Sequence, residues 1–286
     1  MNGRFKIACI QVNAGPEIAP NVAFASEQAK KARDAGADLI CMPENVSLME
    51  FGRERTLPKV AEESAHPALA AFRALASETG AWLAVGSLAV KVGPAMLANR
   101  SFLIAPDGAI KARYDKIHMF DVDLDGGESY RESALYRPGS EAVVVDTPWA
   151  RLGLSICYDV RFPYLYRSLS QAGATVILVP AAFTRQTGQA HWHALLRARA
   201  IENLCYVIAA AQCGEHVLGR QTFGHSLIVA PWGEVLADGG EKPGLILADI
   251  DLGRVAEARR KVPSLGHDRS YRLVAPDSGA SQAARR

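Results

Sequence analysis

The fold is decided by the stretch Arg151-Leu-Gly-Leu-Ser-Ile-Cys-Tyr-Asp-Val-Arg-Phe-Pro163. Its apolar half is typical of a buried strand, and this half ends at the thiol of Cys157. The proline that closes the stretch is favoured in the first turn of a helix. Strand–helix units are typical of α/β proteins, in which ligand sites gather at the carboxyl ends of strands. Cys157 is therefore a candidate nucleophile, if a base and an oxyanion donor lie near it.

The same alternation of strand-like and helix-like runs continues in both directions along the 286 residues. Helix boundaries are indicated by start and stop signals such as Asn21 and Gly80. The predicted helices cover residues 21–35, 67–80, 163–172, 190–203 and 252–261. The predicted strands cover residues 5–12, 82–88, 100–104, 110–114, 142–146, 152–157, 176–180, 206–212, 225–230, 235–237 and 245–250.

This many strands exceeds what one twisted sheet usually holds, which favours two sheets. Turn signals at residues 105–108 and 231–233 predict hairpins among the strand–helix units, so the sheets should be mixed. Helices must then cover the outer faces. We predict an α/β protein, a four-layer αββα sandwich with two mixed β-sheets, as a single domain over residues 1–275. Residues 276–286 are rich in Ser, Ala and Arg and are predicted to form a mobile tail.

Composition excludes several classes of partner. The chain is 49% hydrophobic and 22% charged with a net charge of +2, which gives no reason to expect nucleic acid or an anionic membrane as partner. No apolar stretch reaches the ~18 residues that a membrane-spanning helix needs. The five cysteines are odd in number and form no CxxC pair, which favours free thiols in a reducing compartment over disulfides or a zinc site. Because the N-terminus also lacks the features of a signal peptide, we expect a cytoplasmic protein.

Three residues at or near predicted strand ends could together catalyse acyl transfer. Glu44 could accept the proton of Cys157 and return it to the leaving nitrogen. Lys116 and the backbone N–H of Tyr158 could donate to the oxygen that becomes negative, and the ammonium should lower the pKa of the thiol. Each residue alone is weak evidence, because acids and lysines in loops are usually solvated and cysteines after strands usually pack in a core.

Three motifs resemble the carbon–nitrogen hydrolase (nitrilase) superfamily: Met42-Pro-Glu44, Tyr114-Asp-Lys-Ile-His118 and Ile156-Cys-Tyr-Asp-Val-Arg-Phe-Pro163. The resemblance covers residues 5–273 and implies a Glu44–Lys116–Cys157 triad on a four-layer αββα sandwich. It further implies that a second glutamate, matched by Glu132, helps to position the lysine and the substrate. Because members of this superfamily commonly pair, the resemblance implies a homodimer or a higher homo-oligomer without a cofactor.

The segment Phe183-Thr-Arg-Gln-Thr-Gly-Gln-Ala-His-Trp192 is similar to the branch of deaminated-glutathione amidases and omega-amidases. This resemblance makes Phe183, Thr184 and Thr187 candidate substrate-binding residues. The chain departs from those relatives at Gln189, where they usually have proline, and in the composition of residues 215–221, and both departures lie in regions expected near the substrate. It implies an amidase that hydrolyses a small, linear, carboxylate-bearing amide through a cysteine thioester and releases ammonia. Omega-amidase, nitrilase and N-carbamoyl amine hydrolase activities remain alternatives. A non-catalytic binding protein on the same fold and a metal-dependent hydrolase are more distant ones.

Two further features have both a functional and a structural interpretation. Arg161 could bind a substrate carboxylate, although pairing with a structural acid is favoured. His191 and His193 form an HxH motif, but on a helix they point about 200° apart, so they should not share an ion. We therefore predict no metal site.

Overall fold

Two six-stranded β-sheets form the centre of the fold in the computed structural model, which describes residues 3–124 and 128–274. The predicted tail over residues 276–286 lies outside the described residues. The strands are, in chain order, β1 (Arg4–Gln11), β2 (Leu39–Cys41), β3 (Trp82–Gly93), β4 (Met96–Ile104), β5 (Ile110–Asp115), β6 (Asp121–Asp123), β7 (Ser129–Arg131), β8 (Val144–Asp146), β9 (Arg151–Leu154), β10 (Val176–Leu178), β11 (Tyr206–Ala209), β12 (Cys213–Glu215), β13 (Gln221–Phe223), β14 (Leu227–Val229), β15 (Val235–Asp238) and β16 (Gly244–Asp251). The α-helices are α1 (Ile18–Asp34), α2 (Arg53–Thr56), α3 (Pro67–Thr79), α4 (Pro163–Gln171), α5 (Arg185–Asn203) and α6 (Leu252–Lys261).

Both sheets combine parallel and antiparallel neighbours, as predicted. The first has the order β16-β1-β2-β3-β4-β5, and the second has the order β15-β14-β11-β10-β9-β8. In each sheet three central strands are parallel, β1 with β2 and β3 in the first and β9 with β10 and β11 in the second. The outer strands pair antiparallel. Parallel strands of this kind bring their carboxyl ends to one edge of each sheet.

The sheets face each other, and helices cover their outer sides. Along β1, Phe5, Ile7 and Cys9 belong to a core that also contains strands of the second sheet, whereas Ala8 and Ile10 pack with α1 and α3. This division follows from the alternation of side chains along a strand. Helices α4 and α5 pack on the second sheet. The four-layer αββα sandwich with two mixed sheets is thereby confirmed.

Several predicted boundaries differ from the structure, and three of these differences have a clear structural basis. Helix α1 begins at Ile18, because Asn21 is not its cap: the Asn21 amide instead bonds to the backbone of Gly15 and Ser47. Helix α5 begins at Arg185, five residues earlier than predicted, and continues through Gly188. Strand β9 ends at Leu154, so Cys157 lies beyond the strand, in a short 3₁₀ turn.

Two short hairpins, β6–β7 and β12–β13, were not predicted because their strands have three residues each and a polar composition. The second hairpin attaches to the start of α5, where Phe223 N–H donates to Phe183 O and Thr184 bridges to Thr222. No helix within residues 3–124 and 128–274 is long and apolar enough to cross a membrane.

Candidate active site

The turn that carries Cys157 is held by backbone and carboxylate contacts. Cys157 has a φ of 50°, in the left-handed region that residues with a side chain rarely adopt, and its N–H donates to Pro180 O at 2.9 Å. The fully buried carboxylate of Asp159 accepts the N–H of Ile156 at 2.8 Å. Because its own N–H is already paired, Cys157 itself offers no backbone donor to a substrate. The next N–H, that of Tyr158, donates to no acceptor within the described residues.

Lys116 lies between two carboxylates. Its Nζ is 2.9 Å from Glu44 Oε1 and 2.9 Å from Glu132 Oε2, and its side chain is 2% exposed. Asn99 Nδ2 donates to both acids, at 2.8 Å to Glu44 and 3.1 Å to Glu132. The second oxygen of Glu44 accepts the N–H of Ala182 at 2.8 Å. Residues far apart in the chain thus hold Glu44 in one orientation.

The protonation states follow from this arrangement. Burial raises the pKa of the Cys157 thiol well above its ordinary value, the Glu44 charge raises it further, and Lys116 only partly opposes both. Burial also acts to raise the pKa of Glu44, but the charge and hydrogen bond of Lys116 outweigh it, and the pKa of Glu44 is lowered. The Lys116 pKa is raised well above its ordinary value, because Glu132 and Glu44 outweigh burial. The expected lowering of the thiol pKa was therefore wrong: the resting site contains a thiol, a carboxylate and an ammonium.

Cys157, Glu44, Lys116 and Glu132 line a cavity of about 400 Å³, a volume typical of small-molecule sites. The other predicted residues that line it are Tyr158, Phe183, Thr184 and Thr187.

Arg161, a candidate for substrate binding, does not line the cavity. Its guanidinium lies 3.3 Å from His191 Nδ1 and packs against the rings of Tyr158 and Phe183. The structure therefore does not support the binding of a substrate carboxylate by Arg161. The structural interpretation is favoured, but the partners of Arg161 are a histidine and two aromatic rings, not an acid.

The two histidines of the HxH motif have different partners, and His191 contacts Arg161. His193 Nε2 lies 3.0 Å from Asp238, which also accepts from His225 Nδ1 at 2.9 Å. The ligand atoms of these three residues lie within 4.8 Å of one another, close enough for a metal ion. Hydrogen bonds to Asp238 account for this arrangement without an ion.

Several residues that line the cavity or contact its acids were not identified from the sequence. Asn99 lies inside β4. Burial raises the pKa of Tyr136, and the charges of Glu132 and Glu44 raise it further, so its ring lies close to both acids. Arg220 lies at the base of the β12–β13 hairpin. Arg53 lines the outer part. None of them stands in a motif. The segment over residues 215–221, which contains Arg220, was expected near the substrate, but no single residue of it stood out until the fold placed Arg220 in the cavity wall.

Comparison with known proteins agrees with this geometry. A family model described as "Carbon-nitrogen hydrolase" matches residues 6–260. The chain belongs to this family, as predicted, and is a carbon–nitrogen hydrolase of the amidase type.

Among sequence relatives, a protein of Synechocystis sp. named "Deaminated glutathione amidase" is 44% identical over 91% of this chain and 96% of its own length. A human protein of the same name is 40% identical over 92% of this chain and 82% of its own length. Among solved structures, the Caenorhabditis elegans NitFhit protein has a TM-score of 0.88 at 38% identity over 94% of this chain. The chain spans 66% of that longer protein. Saccharomyces cerevisiae Nit3 has a TM-score of 0.82 at 26% identity over 91% of this chain and 95% of its own.

Proposed function

We propose that Glu44, Lys116 and Cys157 form the catalytic triad of an amidase for small, carboxylate-bearing linear amides of the deaminated-glutathione type. The observation that carries this proposal is that the Glu44 carboxylate contacts Lys116 and lies close enough to Cys157 for its charge to raise the pKa of the thiol. All three line one cavity. A base, a nucleophile and an oxyanion donor are thereby within reach of one substrate carbon.

In the first step Glu44 takes the thiol proton as Cys157 Sγ attacks the amide carbonyl carbon. Because the thiol pKa is raised at rest, proton transfer accompanies the attack and no free thiolate accumulates. The carbonyl oxygen becomes negative and accepts from Lys116 Nζ and the Tyr158 N–H. Each such donor can contribute about 3–4 kcal/mol to stabilising the transition state.

In the second step the C–N bond breaks as Glu44 returns the proton to the leaving nitrogen, and a thioester on Cys157 remains. Glu44 then activates a water molecule, whose attack releases the acid and restores the thiol. A primary amide releases ammonia. Peptide-like substrates such as deaminated glutathione contain secondary amides, so their leaving group is an amine.

Glu132 is a positioning residue in this scheme. Both of its oxygens lie within 3.1 Å of Lys116 Nζ, and Oε2 also accepts the N–H of Phe120 at 2.7 Å. With carboxylates on two sides, Lys116 retains its proton and acts as a donor.

The charges of the cavity support a carboxylate-bearing substrate. Lys116 is paired with Glu44 and Glu132, but Arg53 and Arg220 form no ion pair within the described residues. Unpaired guanidinium groups in a cavity are suited to a carboxylate ligand. The Synechocystis and human relatives are named for deaminated glutathione, a compound that carries carboxylates.

The proposal is tested by acid quenching of turnover and intact-mass measurement, with deaminated glutathione, 2-oxo-acid ω-amides, nitriles and N-carbamoyl amines as candidates. An acyl adduct that maps to Cys157 is expected with the amides. Cys157→Ala should lose both the adduct and turnover, whereas Cys205→Ala, which removes another buried thiol, should keep them. Near-normal amide hydrolysis by Cys157→Ala would overturn the assignment. Turnover of nitriles or carbamoyl amines alone would replace the proposed substrate class.

We also propose that the protein forms a homo-oligomer in the cytoplasm. Helices α4 and α5 expose Tyr164 and Ile201, which are 62% and 46% accessible. These side chains support a homodimer or larger homo-oligomer, which light scattering after gel filtration would measure. The five cysteines are all free and buried, which supports a reducing compartment such as the cytoplasm.

A further inference from the structure

Arg220 stands at a fixed point of the cavity wall. It directly precedes β13, and its carbonyl accepts the N–H of His216 at 2.8 Å, which closes the loop. The buried His216 ring bonds on one side to Ala14 O at 2.9 Å and on the other to Thr222 Oγ1 at 2.7 Å. The base of this hairpin is therefore anchored to the segment that follows β1, although the hairpin itself has few residues.

The Arg220 guanidinium is incompletely paired. Nη2 donates to Ala182 O at 3.1 Å, but Nε is buried and has no acceptor in the part of the chain that the structure describes. The other terminal nitrogen, Nη1, also has no acceptor in the described residues, and unlike Nε it is not buried. A carboxylate can accept from Nη1 and Nη2 together, as in the bidentate pairs that arginine forms.

Two aromatic rings hold this guanidinium. Its central carbon lies 4.8 Å from the centroid of the Phe51 ring and 5.0 Å from that of the Tyr130 ring. Both rings line the cavity with Cys157. Such packing restricts the rotation of the arginine and shields the pair that it forms from water, which strengthens the attraction to an anion.

The remaining arginines of the cavity lack this combination. Arg131 is paired with Asp123, at 2.8 Å to each oxygen. Arg53 is exposed, and both of its Nη atoms donate to backbone carbonyl groups, those of Ala95 and Ala134. Arg220 is thus the cavity arginine that combines partial burial, an unpaired donor and aromatic packing.

One residue connects Arg220 to the triad. Ala182 accepts from Arg220 through its carbonyl and donates to Glu44 Oε2 through its N–H. An anion held by Arg220 therefore has a fixed position relative to the base and to Cys157. This arrangement selects for substrates by the separation between their carboxylate and their scissile amide.

We propose that Arg220 is the specificity-determining residue of this enzyme and forms a bidentate pair with a substrate carboxylate. The inference rests on the proposed amidase function and deepens it, because it names the residue that recognises the anionic end. Amides without a carboxylate should gain nothing from Arg220.

The test measures the Kd of deaminated glutathione by calorimetry in the non-turning-over Cys157→Ala protein, with and without Arg220→Gln. Loss of a partly buried charge pair should raise the Kd at least about 30-fold. Arg220→Lys should recover part of this loss, because it keeps the charge but not the planar donor pair. Arg131→Gln, which removes an arginine that already has an acidic partner, should change the Kd less than about fivefold.

A second measurement separates recognition from damage to the triad. In protein that retains Cys157, Arg220→Gln should leave the rate of Cys157 alkylation by uncharged iodoacetamide unchanged. An unchanged Kd in Arg220→Gln, or an alkylation rate that falls as much as the affinity, would overturn the assignment of Arg220. A larger loss in Arg53→Gln would transfer the role to Arg53. Absence of binding with Arg220 intact would instead reject the proposed substrate class, and the Arg220 proposal with it.

Discussion

His118 Nδ1 lies 2.6 Å from Asp159 Oδ1, and this contact joins the segment that carries Lys116 to the turn that carries Cys157. Each partner stands two residues after a member of the proposed triad. Asp159 is fully buried and also accepts from the N–H of Ile156 and from Tyr114 OH. One carboxylate thus fixes the separation between the oxyanion donor and the nucleophile.

Asp159→Asn should lower both stability and activity. The asparagine amide would turn its NH₂ group towards hydrogen-bond donors that face a carboxylate oxygen in the native protein. We therefore expect a loss of about 2–4 kcal/mol in the free energy of unfolding. Urea denaturation measures this loss. The kcat should also fall, because Lys116 and Cys157 are no longer held at a fixed separation. Asp146→Asn, which removes an exposed acid paired with Arg151, is the control and should change neither quantity much. Equal effects of the two substitutions would argue against this role.

Glu44→Gln should reduce kcat by about 100- to 10,000-fold, the range found for general bases. Glutamine can accept from Lys116 but cannot take the thiol proton, so the fold should be kept while chemistry is lost. Steady-state rates and a thermal melt measure the two effects. Glu50→Gln is the control, because Glu50 lines the same cavity but pairs with Lys59 and Arg55. A comparable loss of kcat in the control would show that the effect is not specific to the base.

The pH profile of kcat/KM should be flat through the neutral range. Activity requires ionised Glu44, whose pKa is lowered from 4.5, so the rate falls only as the pH drops through a value below 4.5. Lys116 has a pKa raised well above 10.5 and stays charged in alkaline solution. The Cys157 pKa is raised well above 9.0, so no thiolate forms between pH 6 and 8. A steep increase in rate between pH 6 and 8 would contradict this assignment of protonation states.

Sequence patterns predicted the fold where local chemistry decides it. Gly80 ends α3 in the left-handed conformation, with φ of 63°, as its stop signal indicated. Asn21 does not cap α1, because its amide bonds to Gly15 and Ser47, a tertiary contact that a capping pattern does not reveal. Gly188 reads as a helix breaker, yet a Cβ there would lie 2.4 Å from Phe223, so the glycine serves packing inside α5.

The motifs singled out Glu44, Lys116 and Cys157, which the fold brings to one cavity, but they could not give the electrostatics of the site or the residue that we propose for carboxylate binding. A lysine beside a thiol suggested a lowered thiol pKa. In the folded protein burial and Glu44 act on Cys157 more strongly than Lys116 does. Residues 215–221 were expected near the substrate, but Arg220 stands out among them only when the fold brings it to Phe51 and Ala182, both more than 35 residues away in sequence.

Lys116→Met should be strongly destabilising because it leaves Glu44 and Glu132 facing each other without a cation. Removing one partner of a buried pair typically costs about 3–5 kcal/mol. The double variant with Glu132→Gln should recover part of this loss, since one of the two charges is then absent. Urea denaturation of the four proteins gives the coupling as a double-mutant cycle. Additive effects would show that the two side chains do not interact.

The close approach of Gly86 in β3 to the segment before Glu44 leads to a prediction about the backbone that positions this residue. A Cβ at this position would lie 2.0 Å from Met42 O and 2.4 Å from Pro43 O, and backbone atoms cannot move aside as a flexible side chain can. Gly86→Ala should therefore displace the segment that ends in Glu44, with a cost of about 1–3 kcal/mol or more in stability and a lower kcat. Gly244→Ala is the matched control, because a Cβ there meets no atom within 4 Å. If Gly86→Ala matched the control in both denaturation and kcat, the close approach of β3 to the Glu44 segment would have no part in holding the base.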